Sequence, residues 1–226
     1  ILAAILGYSQ LAESQLRADG RLPQVARHLE EIRTAGQRAR ELIQRLPGFR
    51  QTGSSSARPT RLEGLVREVA GLLRATLPET VALVTHIDPT LPPLSVDPGH
   101  VHQLLMNLLV NARDAINGSG TIRLSARRQS VKAPMVCDSC RGEFSGDWLT
   151  ISVGDDGPGI APGLRARLFE PFFTTKDIGQ GTGIGLSVVH SVAHLYQGHV
   201  CVISEPAAGC EIQVLLPASI LSVECV

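Results

Sequence analysis

A glycine-rich stretch, GQGTGIGLSVVH at residues 179–190, is the first place where the sequence suggests chemistry. Glycine turns that open a helix often bind phosphate, because the backbone N–H groups at a helix N-terminus point at an anion. The spacing does not fit the two commonest nucleotide motifs. A P-loop needs GxxxxGK[ST], and the fingerprint GxGxxG needs a glycine where Ile184, Leu186 or Val188 stands. Another class of phosphate-binding site is therefore expected.

Three polar residues in NLLVNARDA lie on one side of a predicted helix. Asn107, Asn111 and Asp114 are spaced four and three residues apart, so they share a face while the leucines occupy the other. Amide and carboxylate oxygens suit Mg²⁺, a hard cation that binds oxygen ligands together with phosphates. A solvated polar face without a ligand explains this motif equally well.

The segment VGDDGPGI at residues 153–160 places a carboxylate and two glycines after a predicted strand. A buried Asp155 could accept a hydrogen bond from the exocyclic amine of adenine. Gly157 and Gly159 would let the backbone approach a flat ring closely. An ordinary Asp-Gly turn is the alternative, and the segment taken by itself favours that alternative.

The segment LFEPFFTTK at residues 168–176 holds three of the five phenylalanines of the chain. Exposed Phe169, Phe172 and Phe173 beside Thr174, Thr175 and Lys176 could form a hinge or lid, with the lysine as a point charge for phosphate. A small aromatic core patch is the other interpretation of the same residues.

The hydrophobic pattern around these motifs predicts a domain that mixes helices and strands. Amphipathic helices are predicted at 61–77 and 97–116, the second capped by Asp97 with Pro98 in its first turn, and a third helix begins near Ile184. Strands are predicted at 80–88, 121–130, 147–155, 199–204 and 210–217. This order predicts an α+β fold, an α/β sandwich with helices on one face of a mixed sheet.

The first 48 residues have apolar residues at alternating steps of three and four, interrupted by the turn ADGRLP. The pattern predicts an antiparallel helical hairpin that pairs with a second copy into a four-helix bundle, giving a homodimer. Packing of both helices on the rest of the chain is the alternative. The polar segment 51–60 predicts a linker, so the predicted domains are 1–50 and 61–218.

The composition argues against several function classes. Twenty-one basic and 21 acidic side chains give a formal net charge of zero, which does not support binding of nucleic acid or an anionic membrane surface. Neither a membrane span nor a signal peptide is visible. An odd number of cysteines, five, argues against a disulfide framework and for a cytoplasmic protein. The first residues, ILAAILGYSQLA, suggest a fragment that starts inside a helix.

In their order along the chain, these motifs resemble those of the catalytic ATP-binding domain of bacterial sensor histidine kinases, within the gyrase, Hsp90, histidine kinase and MutL superfamily. NLLVNARDA is similar to the N box, DDGPGI to the first glycine box, FEPFF to the F box and GTGIGLS to the second glycine box. The resemblance covers about residues 61–217. It implies a kinase of a two-component signal transduction system that binds ATP and Mg²⁺.

The resemblance implies roles for individual residues. Asn111 would coordinate Mg²⁺ between the nucleotide phosphates, with Asn107 beside it, and Asp155 would select adenine. Lys176 would lie near the γ-phosphate, so Asn107, Asn111 and Lys176 are the implied catalytic residues. The implied nucleotide-binding residues are Asn111, Asp114, Asp155, Gly157, Gly159, Ile160, Phe173, Thr175, Lys176, Gly181, Thr182, Gly183, Ile184, Gly185 and Leu186.

The resemblance also bears on the reaction. Members of the superfamily that hydrolyse ATP tend to carry a glutamate one turn before the Mg²⁺ asparagine, as the general base for water, and Asn107 occupies that place here. The resemblance therefore favours transfer of the γ-phosphate to a histidine and then to a response-regulator aspartate. An ATP-hydrolysing member and a non-catalytic nucleotide-binding dimer scaffold are the alternatives.

Residues 1–48 resemble the dimerisation and phosphotransfer domain of the same kinases. ILAAILGYSQLA is similar to the sequence just after an H box of the type H-[DE]-F-N-N, whose histidine would lie before Ile1. None of the seven histidines of this chain stands in such a context. The resemblance thus implies a cytoplasmic kinase, or the cytosolic part of a membrane-anchored one, whose present chain binds ATP–Mg²⁺ without labelling itself.

One motif, VCDSCRGEFSGDW at 136–148, has no counterpart in the family pattern. Zinc needs four ligands, so Cys137 and Cys140 supply half of a site unless histidine or cysteine from elsewhere in the chain, or from a second chain, completes it. An ordinary hairpin loop is the favoured interpretation and zinc binding the second. A redox role is the third, since a redox CxxC normally opens a helix.

Overall fold

The computed structural model describes residues 29, 32, 58–176 and 182–220. The chain divides into two compact units, Ile1–Gly53 and Ser54–Val226, and the second is described here by itself. The predicted helical hairpin and bundle lie outside the described residues, apart from positions 29 and 32. They stay predictions, as do the domain boundaries, and light scattering of the whole chain tests the predicted homodimer.

The described part of the second unit contains three α-helices and seven strands. The helices are α1 (Leu62–Arg74), α2 (Pro98–Ala115) and α3 (Gly185–Leu195). The strands are β1 (Arg58–Thr60), β2 (Val81–Ile87), β3 (Leu94–Val96), β4 (Gly120–Val136), β5 (Glu143–Asp155), β6 (His199–Ser204) and β7 (Cys210–Pro217). Short 3₁₀ turns lie at Pro162–Arg167 and Ala218–Ile220.

Five strands form one mixed sheet in the order β2-β4-β5-β7-β6. The pair β2–β4 is parallel and the other pairs are antiparallel. The parallel pair needs a long crossover, which α2 supplies, whereas β4–β5 and β6–β7 are hairpins. The prediction of a mixed sheet is confirmed, and all five predicted strands belong to it.

The three helices form a layer on one face of this sheet. Helix α2 contacts α1, α3 and β5, and α3 contacts β6. The N-terminus of α2 follows the prediction, since the Asp97 side chain accepts a hydrogen bond from the Gly99 N–H at 2.8 Å. The core lies between the layers and includes Leu105, Ile151 and Val214, all fully buried. None of the described helices is both long and apolar enough to cross a bilayer.

The other face of the sheet carries more polar side chains. Arg123, Gly154 and Glu211 are cross-strand neighbours in one row of this face. They line a cavity of about 510 Å³ together with His86. Asp155 is the one predicted site residue among those that line this cavity, and the predicted site residues of α2 and α3 do not line it.

A short strand that was not predicted lies inside the predicted linker. The last three residues of the predicted linker, 58–60, form β1, which pairs antiparallel with β3 in a separate two-stranded ribbon. Leu94 and Val96 of β3 are fully buried, and their burial fixes the ribbon against the unit. The local sequence pattern did not predict this strand, because its partner lies 36 residues later in the chain, with Pro59 opposite Ser95.

Candidate functional site

Asn107 and Asn111 of α2 lie against the first residue of α3. A Cβ atom on Gly185 would come 3.2 Å from Asn111 Nδ2 and 3.6 Å from Asn107 Oδ1, so a glycine lets the start of α3 sit directly on both amides. The Asn107 Nδ2 group donates to the Gln103 carbonyl at 2.9 Å. The two predicted metal-site residues and the second glycine motif therefore meet at one place.

The N-terminus of α3 is open to an anion. Helix α3 begins at Gly185 with Ile184 as its N-cap, as predicted, and no side chain caps its first N–H groups. The nearby Ser187 hydroxyl donates to the Ile184 carbonyl at 2.8 Å instead. The uncapped N–H groups and the positive end of the helix dipole make this turn suitable for phosphate. Leu186 is half-buried beside it.

The two aspartates at the end of β5 point to opposite sides, as strand alternation requires. Asp155 is only 9% exposed, and its Oδ1 accepts a hydrogen bond from the Gly157 N–H at 2.9 Å. Asp156 lies on the surface, where it accepts from the Thr121 N–H at 2.9 Å and forms an ion pair with Arg123. Only the first aspartate is placed to recognise a buried ligand.

The pKa values of the two carboxyl groups shift in opposite directions, because Asp155 is buried and Asp156 is exposed and paired with Arg123. Burial raises the pKa of Asp155, and the hydrogen bond from the Gly157 N–H only partly offsets this effect. The hydrogen bond from Arg123 lowers the pKa of Asp156. A hydrogen bond from a donor brought into the pocket stabilises a desolvated carboxylate more than it stabilises a solvated one. Asp155 is thus a strong acceptor for an amine.

A residue larger than glycine would not fit at position 157. A Cβ atom there would lie 2.7 Å from Asp155 Oδ1 and 2.8 Å from the Ala115 carbonyl oxygen at the end of α2. The glycine therefore lets the turn after β5 pack tightly against the end of α2. Its N–H donates to the Asp155 carboxylate at the same time. This geometry accounts for the Asp-x-Gly spacing of the sequence motif.

The turn of the β6–β7 hairpin packs directly on the segment 155–160. Gly159 has φ +71°, and a Cβ on it would overlap the Glu205 carbonyl oxygen. Across the same contact the Ala207 N–H donates to the Pro158 carbonyl at 2.8 Å, and the Ile160 N–H donates to Ser204 Oγ at 2.9 Å. The segment with the predicted adenine carboxylate thus rests on residues that follow it by about fifty positions.

Gly209 is a site-shaping residue that the sequence motifs did not single out. It has φ +85°, and a Cβ on it would overlap the backbone carbonyl oxygen of Asp155. The sequence feature that could have identified Gly209 is its position after EPAA in a predicted hairpin turn, where residues with a positive φ are common. Its contact partner could not be inferred from that position.

The three phenylalanines of LFEPFFTTK do not all fit the same interpretation, a lid or an aromatic core patch. Phe169 is buried, with its ring 6.4 Å from the His190 ring. Phe172 is 66% exposed, and the Phe173 ring lies 4.4 Å from the Arg167 guanidinium carbon. Phe169 thus belongs to the core, Phe172 stands on the surface where a lid would begin, and Phe173 is half-buried.

The two described ends of the predicted lid are joined to each other. Phe172 and Gly183 have φ values of +68° and +64°, and the Phe172 N–H donates to the Gly183 carbonyl at 2.8 Å. A Cβ on Gly183 would overlap the Phe172 backbone. Thr182 is exposed beside this junction, and Gly181 lies outside the described residues.

Lys176 and Asp114, both predicted site residues, form an ion pair. Lys176 Nζ lies 2.6 Å from Asp114 Oδ2, and the Arg113 guanidinium holds Oδ1 at 2.7 Å. Burial acts to raise the pKa of Asp114, but hydrogen bonds from Lys176 and Arg113 outweigh it, so the pKa is lowered. Asp114 therefore positions the lysine one turn after Asn111, and Thr175 stands exposed beside it.

Comparison with known proteins agrees with this arrangement. The family of histidine kinase-, DNA gyrase B- and HSP90-like ATPases matches residues 96–220. The chain is 30% identical over 217 residues to the signal transduction histidine-protein kinase AtoS of Escherichia coli K12, covering 96% of this chain and 32% of AtoS. It is 29% identical over 221 residues to the sensory histidine kinase/phosphatase NtrB of Escherichia coli O157:H7, covering 96% of this chain and 58% of NtrB. The chain thus spans only part of the length of these relatives.

Solved structures show the same fold. Full-length ShkA in complex with AMPPNP is 27% identical, with a TM-score of 0.61, and the match covers 96% of this chain and 42% of that one. The nucleotide-free catalytic domain of the histidine kinase ThkA is 25% identical, with a TM-score of 0.57, covering 71% of this chain and 94% of that one. The predicted family is confirmed: the chain belongs to the histidine kinase-, DNA gyrase B- and HSP90-like ATPases and carries a histidine kinase-type ATP-binding domain.

Proposed function

We propose that this chain is the ATP-binding core of a two-component sensor histidine kinase. Its task is to hold ATP–Mg²⁺ so that the γ-phosphate passes to a histidine and then to a response-regulator aspartate. The observation that carries the proposal is the meeting of Asn107 and Asn111 with the uncapped start of α3 at Gly185. Oxygen ligands for a cation and N–H donors for phosphate stand side by side there.

Adenine binds at the other end of the site in this proposal. The Asp155 carboxylate accepts the hydrogen bond of the exocyclic amine, while Gly157 and Gly159 leave room for the ring. Burial of Asp155 supports this role, because a desolvated acceptor rejects a base that lacks the matching donor. Ile160 is half-buried at the edge of the same turn and would contact the ring.

The phosphates and Mg²⁺ occupy the region between α2 and α3. Asn111 and Asn107 offer amide oxygens of the kind a hard cation prefers, so the donor set fits Mg²⁺. When bound, Mg²⁺ neutralises phosphate charge and orients the γ-phosphate. The Asn107 amide cannot take up a proton from water as a carboxylate would. This supports phosphate transfer over hydrolysis.

We expect Asn111→Ala to weaken ATP binding about 30-fold in the presence of Mg²⁺, because a hydrogen bond or ligand contact with a charged group contributes about 2 kcal/mol. In EDTA the same substitution should change ATP affinity little, since the lost contact is to the metal. Isothermal titration calorimetry with and without Mg²⁺ measures both values.

The matched control is Asn117→Ala, an exposed asparagine just beyond the end of α2, which should keep wild-type affinity. Equal losses for Asn111→Ala with and without Mg²⁺ would contradict the metal role. Steady ATP turnover by the wild-type chain, lost in Asn111→Ala, would favour the ATP-hydrolysing alternative.

The 226-residue chain should not phosphorylate itself. None of its histidines stands in the sequence context of a phosphorylated histidine, so γ-labelled ATP should leave no acid-labile label on it. A control chain with an H-[DE]-F-N-N segment placed before Ile1 should become labelled. Acid-labile phosphate on the present chain would show that one of its own histidines is the acceptor.

A further inference from the structure

The tip of the β4–β5 hairpin brings the two cysteines of the CxxC motif to two histidines. Cys137 and Cys140 lie in the turn of this hairpin, His194 lies in the last turn of α3, and His199 begins β6. The ligand atoms of Cys137, Cys140 and His194 all lie within 4.8 Å of one another. His199 Nδ1 lies 3.8 Å from Cys140 Sγ.

We propose that these four residues bind a structural zinc ion with Cys₂His₂ ligation. Zn²⁺ takes four thiolate and imidazole ligands in tetrahedral geometry, and the spacings C-x₂-C and H-x₄-H fall within the ranges that structural zinc sites use. Bond lengths of about 2.3 Å to sulfur and 2.0 Å to nitrogen place tetrahedral ligand atoms about 3.3–3.8 Å apart. The ligand atoms of Cys137, Cys140 and His194, which lie within 4.8 Å of one another, need to close by about 1 Å to reach that geometry. The separation of 3.8 Å between Cys140 Sγ and His199 Nδ1 already lies at its upper end.

Backbone N–H groups point at the sulfur atoms of both cysteines. The Val200 N–H donates to Cys137 Sγ at 3.3 Å, and the Gly142 N–H donates to Cys140 Sγ at 3.4 Å. Arg141 adopts a left-handed conformation with φ +65°, which turns the next N–H back toward the second sulfur. An ordinary hairpin turn has no need of N–H groups directed at both sulfurs, whereas ligated thiolates do.

The surroundings also fix the orientation of one imidazole. The Phe144 ring stacks on the His199 ring with centroids 4.4 Å apart and an angle of 10° between the planes. Trp148 meets the same imidazole edge to face at 5.2 Å. A ring held on two sides loses little further freedom on binding, so less of the binding free energy is spent on ordering it.

The ion would join three elements of the second unit. It would connect the β4–β5 tip, the end of α3 and the start of β6. His194 lies nine positions after Gly185 in α3, a distance of about 14 Å along the helix. The zinc would therefore anchor α3 at the end opposite the candidate phosphate site. This role does not depend on the proposed function.

The first test is the metal content of the whole chain, purified without a histidine tag under reducing conditions and analysed by mass spectrometry of the elements. We expect about one zinc per chain, as a closed four-ligand site requires. Cys140→Ser should lose the metal, and His199→Ala should bind it at least tenfold more weakly in a chelator competition. Cys210→Ser, a cysteine outside the cluster, is the control that should keep it.

A second measurement keeps the proposal open to refutation if a variant fails to fold. Replacing the metal of the wild-type chain with Co²⁺ should give the visible absorption bands of tetrahedral cobalt with thiolate ligands. A folded wild-type chain with zinc near zero and no cobalt bands would overturn the proposal. So would a Cys137–Cys140 disulfide in that chain, or Cys140→Ser protein with full zinc content.

Discussion

Asp155→Asn is expected to lose about 100-fold or more in ATP affinity and still fold. The substitution can place an amide donor opposite the donor amine of adenine, and a mismatched buried pair costs about 3 kcal/mol. The Gly157 N–H can still donate to the remaining side-chain oxygen, so the turn is retained. Calorimetric titration with ATP measures the loss. Undiminished affinity would refute the assignment of the adenine site.

The Asp155→Asn variant should bind ATP more weakly than the wild type but be at least as stable. Burial raises the pKa of Asp155 above its usual value of 3.8. The wild type therefore has its full stability from this group below pH 3.8 and loses part of it as the pH rises through the folded-state pKa. At pH 7 the neutral amide that replaces the carboxylate avoids that cost, so the melting temperature of the variant should equal or exceed that of the wild type.

The difference in melting temperature should shrink as the pH falls toward 4, because the wild-type carboxyl group then becomes protonated. Asp156→Asn provides the matched control, since Asp156 is exposed and paired with Arg123. It should keep its ATP affinity, and it should gain no stability at neutral pH. A loss of ATP affinity in both variants would point to general damage of the turn.

Gly159→Ala is expected to lower the free energy of unfolding by about 3 kcal/mol, the second large effect. The residue has φ +71°, and a Cβ would overlap the Glu205 carbonyl oxygen. Both the backbone conformation and the contact must therefore change. For a unit of this size the loss corresponds to a fall of about 6–12 °C in melting temperature, which thermal unfolding followed by circular dichroism would show.

Gly163→Ala is the control for this substitution. A Cβ at Gly163 would meet nothing within 4 Å, so the change should be neutral or slightly stabilising through the unfolded state. Equal melting temperatures for the two alanine variants would show that the close contact at Gly159 relaxes without cost.

Local patterns predicted most of the fold because most of its elements are locally encoded. Alternating apolar residues identified the five sheet strands, and the Asp97–Pro98 cap identified the start of α2. The ribbon strand β1 was missed, because its three residues are stabilised by pairing with β3. Such pairing depends on tertiary contacts that a short polar segment does not reveal.

Spacing predicted which candidate site residues share a helical face, but it did not predict the contacts that each side chain makes. Spacing placed Asn107 and Asn111 on one helical face, and both lie at Gly185 as the order of the motifs suggested. Spacing also grouped Asp114 with them, whereas the structure joins its carboxylate to Arg113 and Lys176. Which partner satisfies a charged group depends on loop positions that periodicity does not describe.

The CxxC motif shows the same limit more clearly. Half a zinc site was visible at Cys137 and Cys140, but the histidines that complete the cluster lie more than fifty residues later in the chain. The spacing of His194 and His199 fits a metal site, yet the two residues belong to a helix end and the following strand. Only the length of the β4–β5 hairpin brings its tip to them.

The packing of the 205–209 turn on the 155–160 segment has a consequence for how the site comes into being. During synthesis the first glycine box leaves the ribosome about fifty residues before this turn does, a delay of about 3–10 s at usual elongation rates. In the later part of that interval a nascent chain carries all four motifs but lacks the turn that packs on the first glycine box. Nucleotide bound at the proposed site would therefore also stabilise the docked hairpin through mass action.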